Sequence, residues 1–150
     1  MGVTALQGFL KRHRRIGLDT SVFIYHAEAN PDYVDLAGEV FAWLERPHHT
    51  AVTSTITMTE LLVHPYRTGI EALLNQYYSL LSVFPNLDWV SPDLPIADTA
   101  AQLHAQHRFR TPDALQLATA IRREATGFLT NDGDLRRVTD VEVVTLEQLR

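Results

Sequence analysis

Arg15-Ile16-Gly17-Leu18-Asp19-Thr20-Ser21-Val22-Phe23-Ile24-Tyr25 is the stretch whose reading decides the fold. Its first half, with Ile16 and Leu18, reads as a buried strand. Its second half, with Val22, Phe23 and Ile24, reads as the start of a helix. Asp19 stands where one becomes the other. A carboxylate set in apolar sequence is costly to bury unless it is paired or bound to metal. In open α/β sheets, ligands bind beyond the carboxyl ends of the strands, which is where Asp19 falls.

Outward from this stretch, strands and helices alternate. Pro31 opens a helix in which Ala37, Val40, Phe41 and Leu44 recur at i, i+3, i+4 and i+7. His49–Thr53 reads as a short strand, followed by helices over Thr55–Tyr66 and Gly69–Phe84. Leu87–Val90 is strand-like between Pro85 and Pro92, and Ile96–His107 is helical. Thr111 reads as an N-cap with Pro112 at the first helical position. The helix they start carries Ala114, Leu117, Ala118 and Ile121. Gly127–Thr130 is a buried strand, Leu135–Val138 a helical turn and Val141–Leu146 a last strand. This alternation predicts an α/β fold: three layers, α/β/α, with a mainly parallel central sheet and right-handed crossovers. No linker or repeat interrupts it, so residues 1–150 read as one domain.

Composition removes whole classes of chemistry. There are no cysteines, hence no thiol catalysis, disulfide or Cys-ligated metal. No apolar run approaches the ~20 residues of a membrane span. The first fifteen residues, ending in Lys11–Arg15, lack the apolar core of a signal peptide. The expectation is a cytoplasmic protein with no membrane contact. A net charge of −5 argues against a passive nucleic-acid coat. It does not argue against a nuclease whose acidic cluster is neutralised by bound cations. Lys11 is the only lysine; the other basic residues are arginines, which suit bidentate phosphate contacts.

The remaining candidate acids lie in three further segments. Glu60 is inside the Thr55–Tyr66 helix, Asp113 is in a first helical turn, and Asp132 and Asp134 follow the Gly127–Thr130 strand. Each has an ordinary structural reading. The helix dipole favours Asp113 by ~0.3–1 kcal/mol, Asp132-Gly133 is a turn pair, and Glu60 fits a wet helix face. Four places in the chain, however, carry a shared pattern. These are Leu18-Asp19-Thr20-Ser21-Val22-Phe23-Ile24, Ser54-Thr55-Ile56-Thr57-Met58-Thr59-Glu60-Leu61, Thr111-Pro112-Asp113-Ala114-Leu115-Gln116-Leu117-Ala118-Thr119-Ala120 and Phe128-Leu129-Thr130-Asn131-Asp132-Gly133-Asp134-Leu135.

In that order and spacing, the four stretches resemble the PIN-domain ribonucleases, in particular the VapC-type toxins of toxin–antitoxin pairs. The resemblance implies catalytic acids at Asp19, Glu60, Asp113 and Asp132. It implies Mg²⁺ or Mn²⁺ held by Asp19, Asp113 and Asp132, with Asp134 replacing or joining Asp132. Thr20 and Thr130 would hydrogen-bond the carboxylates or a metal-bound water. The implied partners are an RNA substrate, a cognate antitoxin protein and a second copy in a homodimer. An apolar groove between the Pro31–Leu44 and Thr55–Tyr66 helices would take the antitoxin's amphipathic helix.

The chemistry is consistent with that family. Hard divalent cations prefer carboxylate oxygen, and a bound metal acidifies water and stabilises charge on phosphate. Neither a Gly-x4-Gly-Lys-Ser/Thr phosphate loop nor a G-x-S-x-G elbow is present. Arg108 and Arg110, ahead of Asp113, and His64, on the Glu60 helix face, are candidate RNA contacts. His104 and His107 share a helix face but have no acid partner, and read as structural. Two alternatives remain: a catalytically silent PIN-like module that grips RNA or protein, and a metal-dependent phosphatase.

Overall fold

The computed structural model describes residues 2–150. Five strands form one parallel sheet: β1 (Arg15–Leu18), β2 (Thr50–Ser54), β3 (Leu87–Val90), β4 (Gly127–Thr130) and β5 (Glu142–Thr145). Their order across the sheet is β3-β2-β1-β4-β5, every pairing parallel. Parallel strands require crossovers, and helices supply them: α2 (Thr20–Ala27) and α3 (Val34–Leu44) after β1, α4 (Thr55–Thr68) and α5 (Glu71–Ser82) after β2, α6 (Leu94–His107) and α7 (Thr111–Arg122) after β3. The chain opens with α1 (Gly2–Lys11) and closes with α8 (Leu146–Leu149). A 3₁₀ turn, Gly133–Arg137, joins β4 to β5.

Two separate apolar cores make this a three-layer sandwich. One holds Leu6, Phe9 and Leu10 of α1 with Phe23, Phe41, Trp43 and Leu61. The other holds Ile96, Leu103, Leu117, Phe128 and Leu135 beneath α6 and α7. The inner strands are covered on both faces, which is why β4 is buried throughout. Gly17, mid-way along β1, is required by packing: a Cβ there would stand 2.6 Å from Phe128 Cδ1 and 2.7 Å from the Ala120 methyl. Gly69 ends α4 in the left-handed conformation (φ 67°), where a side chain is strained.

Several local expectations are corrected. Arg110, not Thr111, is the N-cap of α7, and it makes no side-chain cap bond; Thr111 and Pro112 are the first helical residues. Pro31 lies in a turn, and α3 begins only at Val34. The groove expected between α3 and α4 is not where the apolar surface opens. The α3 helix packs on α1 and α2, whereas α4 packs on α2 and α5. A largely apolar cavity of about 640 Å³ instead opens between the end of α2, α4 and α5. Among the described residues, no helix is long and apolar enough to cross a membrane.

Candidate active site

Strand order reverses at β1: β2 and β3 lie to one side, β4 and β5 to the other. The crevice beyond the carboxyl ends of β1 and β4 is thus a topological switch point, the usual ligand site of such sheets. A cavity of about 370 Å³ opens there. Its wall includes Asp19, Glu60, Asp113 and Asp132, with Arg110 and Gln116.

Backbone geometry explains why each acid points inward. Asp19 is the N-cap of α2: one carboxylate oxygen accepts from the Ser21 backbone N–H at 3.0 Å and from the Ser21 hydroxyl. The other oxygen accepts from the Thr130 hydroxyl across the β1–β4 crevice. Thr130 Oγ1 in turn accepts from the Asp132 backbone N–H at 3.0 Å. Asp132 caps the 3₁₀ turn by accepting from Asp134 N–H at 3.0 Å. Glu60 accepts from the Thr20 hydroxyl at 2.8 Å. Asp113, in the first turn of α7, accepts from Arg110 Nε at 3.2 Å. Each acid is therefore held by a donor belonging to the protein.

Burial dominates the electrostatics. It pushes the Asp19 carboxyl up to about 6, against bonds from Ser21 and Thr130 that favour the ionised form; the nearby Asp113 charge pushes the same way as burial. Asp19 thus tolerates its charge poorly when no cation is beside it.

Behind the acids lies a buried polar relay. Gln116 Nε2 donates to Thr57 Oγ1 at 2.6 Å. Thr57 Oγ1 lies 2.7 Å from Thr53 Oγ1, and Thr53 donates to the Leu18 carbonyl at 2.9 Å. Because Leu18 O can only accept, the hydroxyls must point in one direction: Gln116 to Thr57, Thr57 to Thr53, Thr53 to Leu18. This chain ties α7 and α4 to the end of β1, next to Asp19. Gln116→Leu would leave Thr57 Oγ1 and the Ser54 N–H (3.3 Å from Gln116 Oε1) without that partner. The expected loss is about 1–3 kcal/mol, read as a lower midpoint in urea unfolding at unchanged slope. An unchanged midpoint would show that the relay does not brace the site.

The PIN-domain family model matches residues 16–141. The chain belongs to the PIN-domain family. No curated protein matches it by sequence. Solved structures share the fold. A VapBC2 complex from Rickettsia felis, bound to a promoter DNA fragment, is 18% identical with a TM-score of 0.68, covering 87% of this chain and 98% of its own. A toxin–antitoxin complex from Klebsiella pneumoniae is 21% identical with a TM-score of 0.66, covering 88% and 97%. VapC20 of Mycobacterium tuberculosis, a toxin that cleaves the sarcin–ricin loop, is 19% identical with a TM-score of 0.63, covering 85% and 98%.

In this PIN domain, Asp19, Glu60, Asp113, Asp132, Thr20 and Arg110 share one cavity, and Thr130 closes it from beneath through Asp19. Three expected residues lie elsewhere. The Asp134 side chain is exposed outside the cavity, and its contribution is the backbone N–H that fixes Asp132. His64 opens into the larger apolar cavity with His26 and Tyr77, because α4 carries it one turn beyond Glu60. Arg108 is exposed at the end of α6 and does not line the acidic cavity. His104 bonds the Phe109 carbonyl and His107 stacks on the Phe109 ring, away from the acidic cavity. Ser21, Ile24, Tyr25, Gln116 and Asn131 complete the wall. Asn131 donates to Tyr25 Oη at 2.9 Å and accepts from Glu147 N–H at 2.9 Å, which pins the β4 exit to α2 and α8. A Ser two residues past an N-cap Asp and an Asn between Thr130 and Asp132 are the sequence traces they leave.

Proposed function

We propose that this PIN domain is a divalent-metal-dependent endoribonuclease, the toxin of a type II toxin–antitoxin pair, acting in the cytoplasm. The observation that carries this reading is the convergence of Asp19, Glu60, Asp113 and Asp132, from four separate segments, on one cavity at the sheet's switch point. The family match supports nuclease chemistry. The fold shared with toxins solved beside their antitoxins supports the toxin role. Retention of all four acids favours a cutter over a silent module, and that shared fold favours it over a phosphatase.

The donor set fits Mg²⁺ or Mn²⁺. The polar atoms offered by the acids are all carboxylate oxygens, with no thiolate or imidazole in the wall. Among the described residues, no three acidic or histidine side chains converge closely enough to enclose an ion alone. A Mg²⁺ ion here would complete its shell with water, as it does on one or two carboxylates. Asp19, Asp113 and Asp132 would hold the metal, directly or through water. When bound, it supplies an acidified water and charge stabilisation at the phosphate.

The chain's own residues do the rest. Ser21 and Thr130 hold the Asp19 carboxylate in one rotamer, and Thr20 aims Glu60 into the cavity. Glu60 is exposed and free to accept a proton from the attacking water. Arg110 can release Asp113 and turn to the RNA phosphate. Arg108 stands further along the same approach. His64 lines the neighbouring cavity rather than this one. The antitoxin and a second copy of the chain are the expected protein partners.

Purified protein should cut RNA with Mg²⁺ or Mn²⁺ and stop when EDTA is added. In a bacterial host, wild type should arrest growth, Asp19→Asn should not, and the neighbouring reading frame should rescue. Harmless expression at high soluble yield would overturn the toxin role. Cleavage that persists in EDTA would overturn the metal.

A further inference from the structure

Two arginine-bearing segments far apart in the chain meet beside the acidic cavity. At the end of α6, Arg108 takes the left-handed conformation (φ 59°). That position usually goes to glycine or asparagine, and another residue there costs about 1–2 kcal/mol. The turn sends the chain through Phe109 into Arg110, which enters the cavity wall. Phe109 is only 4% exposed. Its carbonyl is bonded by His104 and its ring is stacked by His107 at 5.0 Å between centroids. The loop is built, not loose.

The second segment is the 3₁₀ turn after Asp132. Arg137 lays its guanidinium over the Phe109 ring, 4.9 Å from the centroid. Its Nε donates to the Asp134 carbonyl at 3.1 Å. Arg136 Nε donates to the Gly133 carbonyl at 3.4 Å. Both guanidinium groups use only Nε in hydrogen bonds, on residues that are exposed. The ion pairs of the described residues involve other cations and, of this group, only Arg110. Arg108, Arg136 and Arg137 have no carboxylate partner among them.

We propose that Arg108, Arg110, Arg136 and Arg137 form a ledge that grips the phosphate backbone of the RNA strand as it enters the acidic cavity. This rests on the ribonuclease reading above. A guanidinium anchored at Nε still presents two terminal nitrogens, the fork that binds phosphate bidentately. Holding the stem in place beforehand removes side-chain entropy that a free arginine would lose on binding. The ledge also resolves a charge problem. A protein of net charge −5 with an acidic cleft repels a polyanion, so it needs a local cationic surface to capture one. Arg110 is the only arginine or lysine in the cavity wall, so the strand enters from the α6–α7 side. Asp134 and Asp140 flank Arg136 and Arg137 in the chain, and the four arginines outnumber them. Backbone contacts position without reading sequence, so the ledge sets register and direction, and leaves base choice to other surfaces.

The test uses the inert Asp19→Asn protein and a fluorescently labelled single-stranded 12-nucleotide RNA, with binding read by anisotropy across a salt series. Replacing Arg136 and Arg137 together by Gln should weaken binding about tenfold. It should also lower the slope of log K against log salt by roughly 1.4, at roughly 0.7 for each single-strand phosphate that is no longer neutralised. In the otherwise wild-type enzyme the same pair should raise KM with little change in kcat. Arg137→Gln removes the guanidinium from the Phe109 ring and could loosen the loop. Arg136→Gln alone breaks only the bond to Gly133, and should still show half of the slope change. If the variants match their parent in Kd and salt slope while wild type cuts RNA, the ledge is wrong and the ribonuclease reading stands. A fall in kcat at constant KM would also overturn it. If wild type neither binds nor cuts RNA, both fall together.

Discussion

Asp19→Asn should abolish RNA cleavage and, without metal, make the protein more stable. The loss of activity should be at least about 10²–10³-fold, the scale of removing one preorganised electrostatic partner. The gain in stability follows from burial. The folded carboxyl titrates at about 6, against 3.8 for an ordinary aspartate. Between those pH values the folded protein holds a proton that the unfolded chain has released. Stability from this group is therefore complete below pH 4 and is lost as pH rises through 6. A shift of about two units corresponds to at most about 3 kcal/mol. Asparagine can still accept the Ser21 N–H bond that caps α2, and it carries no charge to desolvate. Melting both proteins in EDTA from pH 4 to 7 should show the advantage of the Asn variant growing across that window. Added Mg²⁺ should stabilise wild type more than the variant, because only the native state binds it. Parallel stability curves between pH 4 and 6 would remove Asp19 as the strained group. Equal metal shifts would remove it as a ligand.

Gly17→Ala should be among the most damaging single-methyl additions in the chain. The new Cβ would sit 2.6 Å from Phe128 and 2.7 Å from Ala120, both fully buried. Neither neighbour can swing away: Phe128 is paired in register with Gly17 on β4, and Ala120 is fixed in the middle of α7. Overpacking of this kind costs about 1–3 kcal/mol or more. For a domain of this length that is roughly 2–12 °C in Tm. Separation of β1 from α7 would also shift Asp19, two residues on, relative to Asp113. Activity should therefore fall at temperatures well below the new melting point. Wild-type Tm and kcat in this variant would mean that the helix–sheet spacing is soft and does not position the acids.

The fold class was readable because Ile16–Leu18 and Gly127–Thr130 are short apolar runs bounded by polar turns, and because helical periodicity separates them. The positions of Asp19, Asp113 and Asp132 were readable because each ends a strand or opens a helix, where local rules and the family pattern agree; Glu60, inside α4, was marked by the family pattern alone. Other features left no such trace. The α1 helix over Gly2–Lys11 has its apolar residues Leu6, Phe9 and Leu10 next to a basic run, and its burial against α3 depends on distant partners. That Asp132 lines the cavity while Asp134 gives it a backbone N–H is a difference no one-dimensional pattern encodes. His64 shares a helix face with Glu60, yet, one turn further along α4, it lines a different cavity with the end of α2 and with α5. The Gln116–Thr57–Thr53 relay joins residues up to sixty-three positions apart (Thr53 to Gln116), so only the folded chain reveals it.

The strand order has a consequence for how the molecule comes into being. β1 sits between β2, made soon after it, and β4, made more than a hundred residues later. Pairings of such long sequence separation form late and slowly, and a nascent chain folds from its N-terminal side as it is made. Until β4 has been synthesised and has slid in beside β1, Thr130 cannot reach Asp19, and Asp132 is not yet there. A growing chain on the ribosome therefore carries Asp19, Glu60 and Asp113 before Thr130 and Asp132 exist. On the ribonuclease reading proposed above, the molecule would be harmless to the RNA machinery around it while it is being translated, and would become active only once that late strand is in place.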